Sequence, residues 1–194
     1  MQQAEILKLF SETGALLNGH FLLTSGLHSE QYFQCARVMQ YPHRAENLCS
    51  EIASHFAESE ISAVIAPAIG GIVVAHEVGR ALGVRVLFAE RENGQMALRR
   101  GFEIFPQERV LVVEDVVTTG GSVKEVLQLV KKHRGLPVGV GCLVDRSSGQ
   151  VDFEVEMFSL IALNIKTMPP SQCELCKKGR ALVKPGSRQS LKND

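Results

Sequence analysis

The sequence predicts an α/β fold, a mostly parallel, twisted sheet with helices on both faces, preceded by a small N-terminal hood over about residues 1–38. Three observations carry this. Short all-apolar runs alternate with helix-period segments through the middle of the chain, the pattern of parallel strands and their crossover helices. Two strand-to-helix junctions, at 66–71 and 118–122, are rich in glycine. The length of 194 residues, 45% of them hydrophobic, suits one domain with a substantial core. That core is expected over about 43–168, with a polar tail over 169–194.

Along the chain, Ile6, Leu7, Leu9, Phe10 and Leu16 mark an amphipathic helix over 2–17 that Gly14 ends or weakens. From Gly19 to Cys35 the pattern shifts to Phe21 and Leu23, a Ser25-Gly26 turn, then Tyr32 and Phe33, which reads as a strand hairpin. Residues 43–57 are helical. Ala63 to Ala66 is a buried strand that Pro67 stops, and Gly70-Gly71 leads into a helix from about Ile72 to Leu82. Val84 to Ala89 is the next strand. The segment ERENGQMALRRGFEIFPQE that follows is too long for a tight turn and reads as a mobile basic arm, with Gly94 and Gly101 allowing motion. Val110–Val113, a helix over 122–133, a strand at Val138–Val144 and a last strand near Leu160–Ile165 complete the series.

Charge narrows the function classes. Lys plus Arg and Asp plus Glu number 21 each, so no basic surface advertises a nucleic-acid or membrane partner. No export signal or membrane span is legible, and a cytoplasmic protein is expected. Five cysteines, Cys35, Cys49, Cys142, Cys173 and Cys176, then read as reduced thiols. Cys173-Glu-Leu-Cys176 leaves three readings open: a turn in the tail, half of a metal site completed elsewhere, or redox work. His20, His28, His43 and His133 show no metal-ligand spacing and are expected at the surface or in caps.

The segment VLVVEDVVTTGGS at 110–122 carries the most chemistry. An apolar run such as Val110–Val113 fits a strand buried on both faces. Gly120 and Gly121 let the chain approach an anion, the first N–H groups of the helix from Ser122 lack intrahelical partners, and Thr118, Thr119 and Ser122 add hydroxyls. Glu114 and Asp115 repel phosphate, so they point to sugar hydroxyls or to Mg²⁺ carried by the ligand. A sugar phosphate fits both halves. The segment is neither a P-loop, since Gly121 rather than Lys precedes Ser122, nor a dinucleotide fingerprint. A plain strand-to-helix turn is the bland alternative. In a parallel sheet the loops at the carboxyl ends of the strands gather on one edge. That edge would collect Gly70-Gly71, Arg91, the 114–122 loop and Asp145-Arg146.

At these residues the chain resembles a known family. EDVVTTGGS is similar to the phosphoribosyl-pyrophosphate motif of the type I phosphoribosyltransferases. GHFLLTSGLHSEQYFQCARV at 19–38, APAIGG at 66–71, RENGQMALRRG at 91–101 and VDR at 144–146 resemble the orotate phosphoribosyltransferases over nearly the whole chain, and the CELCKKG tail is like that of a bacterial branch. The resemblance implies Mg²⁺-dependent transfer of ribose 5-phosphate from phosphoribosyl pyrophosphate to orotate, giving orotidine 5′-phosphate and pyrophosphate in pyrimidine synthesis. It implies that Glu114 and Asp115 hold the ribose hydroxyls and that the 118–122 loop, Thr118, Thr119, Gly120, Gly121 and Ser122, holds the 5′-phosphate, with Val116 and Val117 also in the phosphoribosyl-pyrophosphate site. Ala68, Ile69, Gly70 and Gly71 would cradle pyrophosphate, with Arg91 and either Arg99 or Arg100 neutralising it. Arg99, Arg100 and Asp115 are the implied catalytic residues. Thr24, Tyr32, Phe33, Thr118 and Arg146 are the implied orotate contacts, Tyr32 and Phe33 as an aromatic pair against the pyrimidine. The metal rides on pyrophosphate, and a homodimer with arms crossing between subunits is implied.

Three departures from the family pattern stand out: Thr24 where relatives carry a lysine or arginine, Gly70 where some carry a lysine, and a differently spaced arm. A purine or uracil phosphoribosyltransferase would share the 114–122 loop without the 19–38 hood, and a non-catalytic regulator on the same fold would lose the arm.

Overall fold

The computed structural model describes residues 1–23 and 25–185, so that Thr24 and the end of the tail lie outside the described residues. In chain order the elements are α1 (Gln3–Glu12), β1 (Leu16–Leu22), β2 (His28–Phe33), α2 (Ala36–Met39), α3 (Pro42–His55), β3 (Ala63–Pro67) and α4 (Gly71–Leu82). They continue with β4 (Arg85–Glu92), β5 (Gln95–Leu98), β6 (Arg109–Val117), α5 (Gly121–Lys132), β7 (Leu136–Asp145), β8 (Met157–Ala162), β9 (Thr167–Met168) and α6 (Glu174–Lys177).

Six strands form the main sheet in the order β5-β4-β3-β6-β7-β8. Only the β4/β5 pairing is antiparallel. Alternation along the central strands explains their all-apolar sequence. Val64, Ala66, Leu111 and Val113 enter one core, shared with α3 and α4, while Ala63, Ile65, Val110 and Val112 enter another, beneath α5. Val110, Leu111, Val112 and Val113 are all fully buried, as a strand covered on both faces requires. Helix α5 presents Val123, Val126, Leu127, Leu129 and Val130 to the second core, and Lys131 and Lys132 in its last turn complement the helix dipole.

Several elements differ from the sequence reading. Helix α1 stops at Glu12, and Leu16, expected on the helix, opens β1. Strand β6 runs through the acid pair to Val117, paired to β7 as far as Val117↔Asp145, so Glu114 and Asp115 belong to the strand rather than to the loop after it. The long basic segment is not an open loop in its first half. Strand β4 continues to Glu92, and Asn93 and Gly94, at φ of 51° and 84°, turn it into β5. Asn-Gly is the strongest short hairpin signal, because both turn residues need positive φ.

The hood is a separate sheet, β1-β2-β9, with β1 and β2 antiparallel. It draws on both ends of the chain. Strand β9 pairs with β2, and the Val183 N–H donates to the His20 carbonyl at 2.9 Å. The tail is thus docked over its described part, with Cys173 and Leu175 buried. His43 and His133 are exposed as expected, His133 capping α5. His20 and His28 are not: each is 3% exposed, inside the hood.

Candidate active site

The carboxyl ends of the parallel strands β3, β6 and β7 lie side by side, and the 68–71 loop packs there against the acid pair of β6. Strand β3 ends at Pro67, and the Ala68 N–H donates to the Ala89 carbonyl at 2.8 Å, tying the 68–71 loop to β4. Ile69 is 80% exposed at the tip of this loop. A β-carbon on Gly70 would fall 2.9 Å from both Asp115 carboxylate oxygens, and one on Gly71 would fall 2.8 Å from the Ala66 β-carbon and 3.1 Å from Glu114 Oε1. Both glycines are therefore close-approach positions. Their missing side chains make room for the acid pair against the loop.

The acid pair is electrostatically loaded. Burial, with the Asp115 charge beside it, holds the Glu114 carboxyl well above its ordinary range. Glu114 Oε1 accepts from the Asp115 N–H at 3.1 Å, and Asp115 Oδ1 accepts from the Val116 N–H at 2.8 Å. Beneath lie two thiols that the sequence reading left without a role. Cys35 Sγ sits 4.0 Å from the Asp115 carbonyl, and Cys142 is the β7 partner of Glu114. Burial pushes both thiols up, so both stay protonated.

After β6, Thr118 and Thr119 are exposed, Ser122 is half-buried, and Gly120 adopts φ 71° at the N-cap of α5. The first helical bond runs from the Lys124 N–H to the Gly120 carbonyl at 2.9 Å, leaving the N–H groups of Gly121, Ser122 and Val123 without intrahelical acceptors. Free N–H groups at a helix N-terminus are the donors an anion takes. A β-carbon on Gly120 would press on Val151 at 2.7 Å and Phe153 at 2.9 Å, so the helix start is braced from behind.

Arg146 follows β7, and its N–H donates to the Val117 carbonyl at 2.8 Å. Its guanidinium is half-buried, burial lowers its pKa, and its Nε has no hydrogen-bond partner among the described residues. An unmet buried donor is costly unless a ligand satisfies it. Tyr32 lies close enough for Asp115 and Arg146 both to act on its hydroxyl, which burial raises above its usual pKa. The expected aromatic pair is split. Adjacent strand residues face opposite ways, so while Tyr32 turns to the site, Phe33 is 5% exposed and packs edge-on against Phe10 at 5.8 Å.

The arm arginines are engaged with acids. Arg91 makes a bidentate pair with Glu125 of α5 at 2.8 and 2.9 Å and donates to the Gly94 carbonyl at 2.7 Å. Arg100 forks onto Glu90 at 2.8 and 2.9 Å, and Arg99 lies 3.4 Å from Glu92. The edge of one chain thus brings together Gly70, Gly71, Glu114, Asp115, Tyr32 and Arg146, but it holds Arg91, Arg99 and Arg100 on the hairpin and α5.

Comparison with known proteins identifies the family. The phosphoribosyl transferase domain model matches residues 38–169. A relative from Pelotomaculum thermopropionicum named orotate phosphoribosyltransferase is 58% identical over 97% of this chain and 100% of its own length. One of the same name from a Thermoanaerobacter species is 56% identical over 97% and 100%. Among solved structures, orotate phosphoribosyltransferase from Aeropyrum pernix superposes with a TM-score of 0.70 at 25% identity, over 81% of this chain and 93% of that one.

Proposed function

Since the chain belongs to the phosphoribosyltransferases, within their orotate branch, we propose that the sheet edge just described is the site at which ribose 5-phosphate passes from phosphoribosyl pyrophosphate to orotate. The reaction yields orotidine 5′-phosphate and pyrophosphate, a step of pyrimidine biosynthesis. The observation that carries the site assignment is the half-buried Arg146 guanidinium, with its unmet Nε, beside Tyr32 and the acid pair. It fits orotate's carboxylate, which a planar guanidinium can grip with two parallel bonds. Tyr32 then supplies one aromatic face for the pyrimidine, and Phe33 supports it from the core.

The remaining subsites follow from donor chemistry. The cradle at 118–122 offers N–H groups and hydroxyls to the 5′-phosphate. Glu114 and Asp115 accept hydrogen bonds from the ribose 2′- and 3′-hydroxyls. Ala68–Gly71, closely packed on Asp115, takes the pyrophosphate. Magnesium would enter as part of the substrate, and the Asp115 carboxylate beside Gly70 suits a ligand that arrives with its cation. When bound it neutralises charge on the leaving group.

Bond cleavage at the anomeric carbon builds positive charge on the ribose ring and negative charge on pyrophosphate. No protein nucleophile is required. The residues act by orienting two substrates, by stabilising developing charge and by excluding water. Asp115 lies on the ribose side, where its negative charge favours the cationic ring. Because Arg91, Arg99 and Arg100 are ion-paired on their own hairpin and α5, cationic help for pyrophosphate calls for exchange of those pairs or for a second copy of the chain. We infer a homodimer whose arms cover each other's sites, acting in the cytoplasm. No helix among the described residues is long and apolar enough to cross a membrane.

The purified protein with Mg²⁺, phosphoribosyl pyrophosphate and orotate is expected to release pyrophosphate in proportion to orotate consumed. Release that is indifferent to orotate, or that occurs with adenine or uracil instead, would refute the assignment.

A further inference from the structure

Away from the sheet edge, four side chains that are distant in sequence converge inside the hood: His20 of β1, His28 of β2, and Cys173 and Cys176 at the start of and within α6. One ligand atom from each lies within 4.8 Å of every other. His20 Nε2 is 2.9 Å from His28 Nδ1, 3.4 Å from Cys173 Sγ and 3.7 Å from Cys176 Sγ, and Cys176 Sγ is 3.3 Å from His28 Nδ1. A tetrahedron with Zn–N of ~2.0–2.1 Å and Zn–S of ~2.3 Å has N···N edges near 3.3 Å and N···S edges near 3.5 Å. The observed separations are within a few tenths of an ångström of these.

Protonation agrees. His20 Nδ1 lies 2.9 Å from the Arg180 carbonyl, which can only accept, so the proton of the neutral ring sits there and the Nε2 lone pair faces the cluster. A backbone carbonyl in this position is the usual outer-shell partner of a metal-bound imidazole. His20, His28 and Cys173 are 3%, 3% and 1% exposed, and Cys176 closes the cluster at the surface. Two ring nitrogens and two sulfurs, all metal-ligating atom types, thus converge on one small volume. Two thiolates and two imidazoles in tetrahedral array favour zinc, and four protein ligands leave no position for substrate.

We propose that His20, His28, Cys173 and Cys176 form a structural zinc site that clamps the C-terminal segment onto the hood. It completes the half-site seen in Cys173-Glu-Leu-Cys176 within one chain, and it stands independently of the transferase reading. The clamp fixes β2 near the end opposite Tyr32, so it stiffens the strand that carries the base contact.

Untagged full-length protein, prepared without chelator from zinc-supplemented cells, is expected to carry about one zinc per chain by elemental analysis. Cobalt(II) exchanged into it should give the ligand-field and thiolate charge-transfer bands of a tetrahedral two-sulfur, two-nitrogen site. Cys176→Ser is expected to lose the metal, while His28→Cys retains it. Chelation should expose the 169–185 segment to protease. Metal-free protein whose cobalt titration shows no thiolate charge transfer would overturn the proposal without recourse to any variant. So would a Cys173–Cys176 disulfide in freshly purified protein, or zinc content unchanged in Cys176→Ser.

Discussion

The Gly70 α-carbon is packed so closely on Asp115 that a methyl group there would fall 2.9 Å from both carboxylate oxygens. The glycine of the 68–71 loop thereby positions an acid of strand β6. Gly70→Ala can be accommodated by swinging the flexible end of Asp115 away, so it should leave the fold intact and misplace the carboxylate. The expected result is a fall in kcat/KM for phosphoribosyl pyrophosphate of at least about tenfold, roughly 1.4 kcal/mol, with Tm lowered by only a few degrees. Steady-state kinetics beside thermal melts checks this, and a large Tm loss with proportionate activity loss would contradict it.

Asp115→Asn removes the charge proposed to face the ribose while keeping the shape. Turnover should drop by about a hundredfold or more, whereas stability should hold or rise because Glu114 loses a like charge at close range. Circular dichroism melts of the variant next to the wild type give the readout, and an unfolded variant would defeat the reading.

Glu114 provides a pH test. Its folded pKa is raised above the ordinary 4.5 by burial and by Asp115, so between the unfolded and folded values the native state holds more protons than the unfolded one. Stability from this group is full below about pH 4.5 and is lost as pH rises through the folded pKa. Glu114→Gln should therefore match the wild type in Tm near pH 4 and exceed it at pH 7 to 8. The ligand-free protein, melted across that range, settles the sign.

Arg146→Lys keeps the charge but loses the fork. KM for orotate should rise by about tenfold or more while KM for phosphoribosyl pyrophosphate moves less than about twofold. Arg146→Met, which removes the unmet buried Nε, should be at least as stable as the wild type. Equal changes in both KM values would place Arg146 outside the base subsite.

For the arm, an Arg99→Ala/Arg100→Ala chain mixed with an Asp115→Asn chain distinguishes sharing from self-sufficiency. If arms cross, random pairing makes half of the dimers mixed, each with one intact site, and about a quarter of wild-type activity returns. No recovery after denaturation and co-refolding would mean that each arm serves its own chain.

Much of this was legible in the sequence because the relevant signals are local. Val110–Val113 reads as a doubly buried strand since every residue is apolar, and the glycines of 118–122 declare the strand-to-helix junction by their own backbone freedom. The acid pair was legible too, although β6 carries it inside the strand. Asn93-Gly94 was equally local and predicts the arm hairpin.

Other features depend on distant partners. Tyr32 and Phe33 are neighbours in sequence, and only the pleat of β2 against β1 assigns one to the site and the other to the Phe10 core. The arginines at 91, 99 and 100 read as free charge until Glu125, Glu90 and Glu92 come into reach. His20 and His28 carry no ligand spacing, because the residues that complete their cluster lie at the other end of the chain.

By itself the sequence determined the strand and helix periods, the two glycine junctions and the chemistry of each loop, since these follow from the side chains and φ preferences of contiguous residues. Tertiary structure alone decided which loops touch, that Gly70 shelters Asp115, that Arg146 is left with an unmet donor, and that the two ends of the chain meet at four metal-ligating atoms. Those facts are distances between residues far apart in sequence, and only packing sets them.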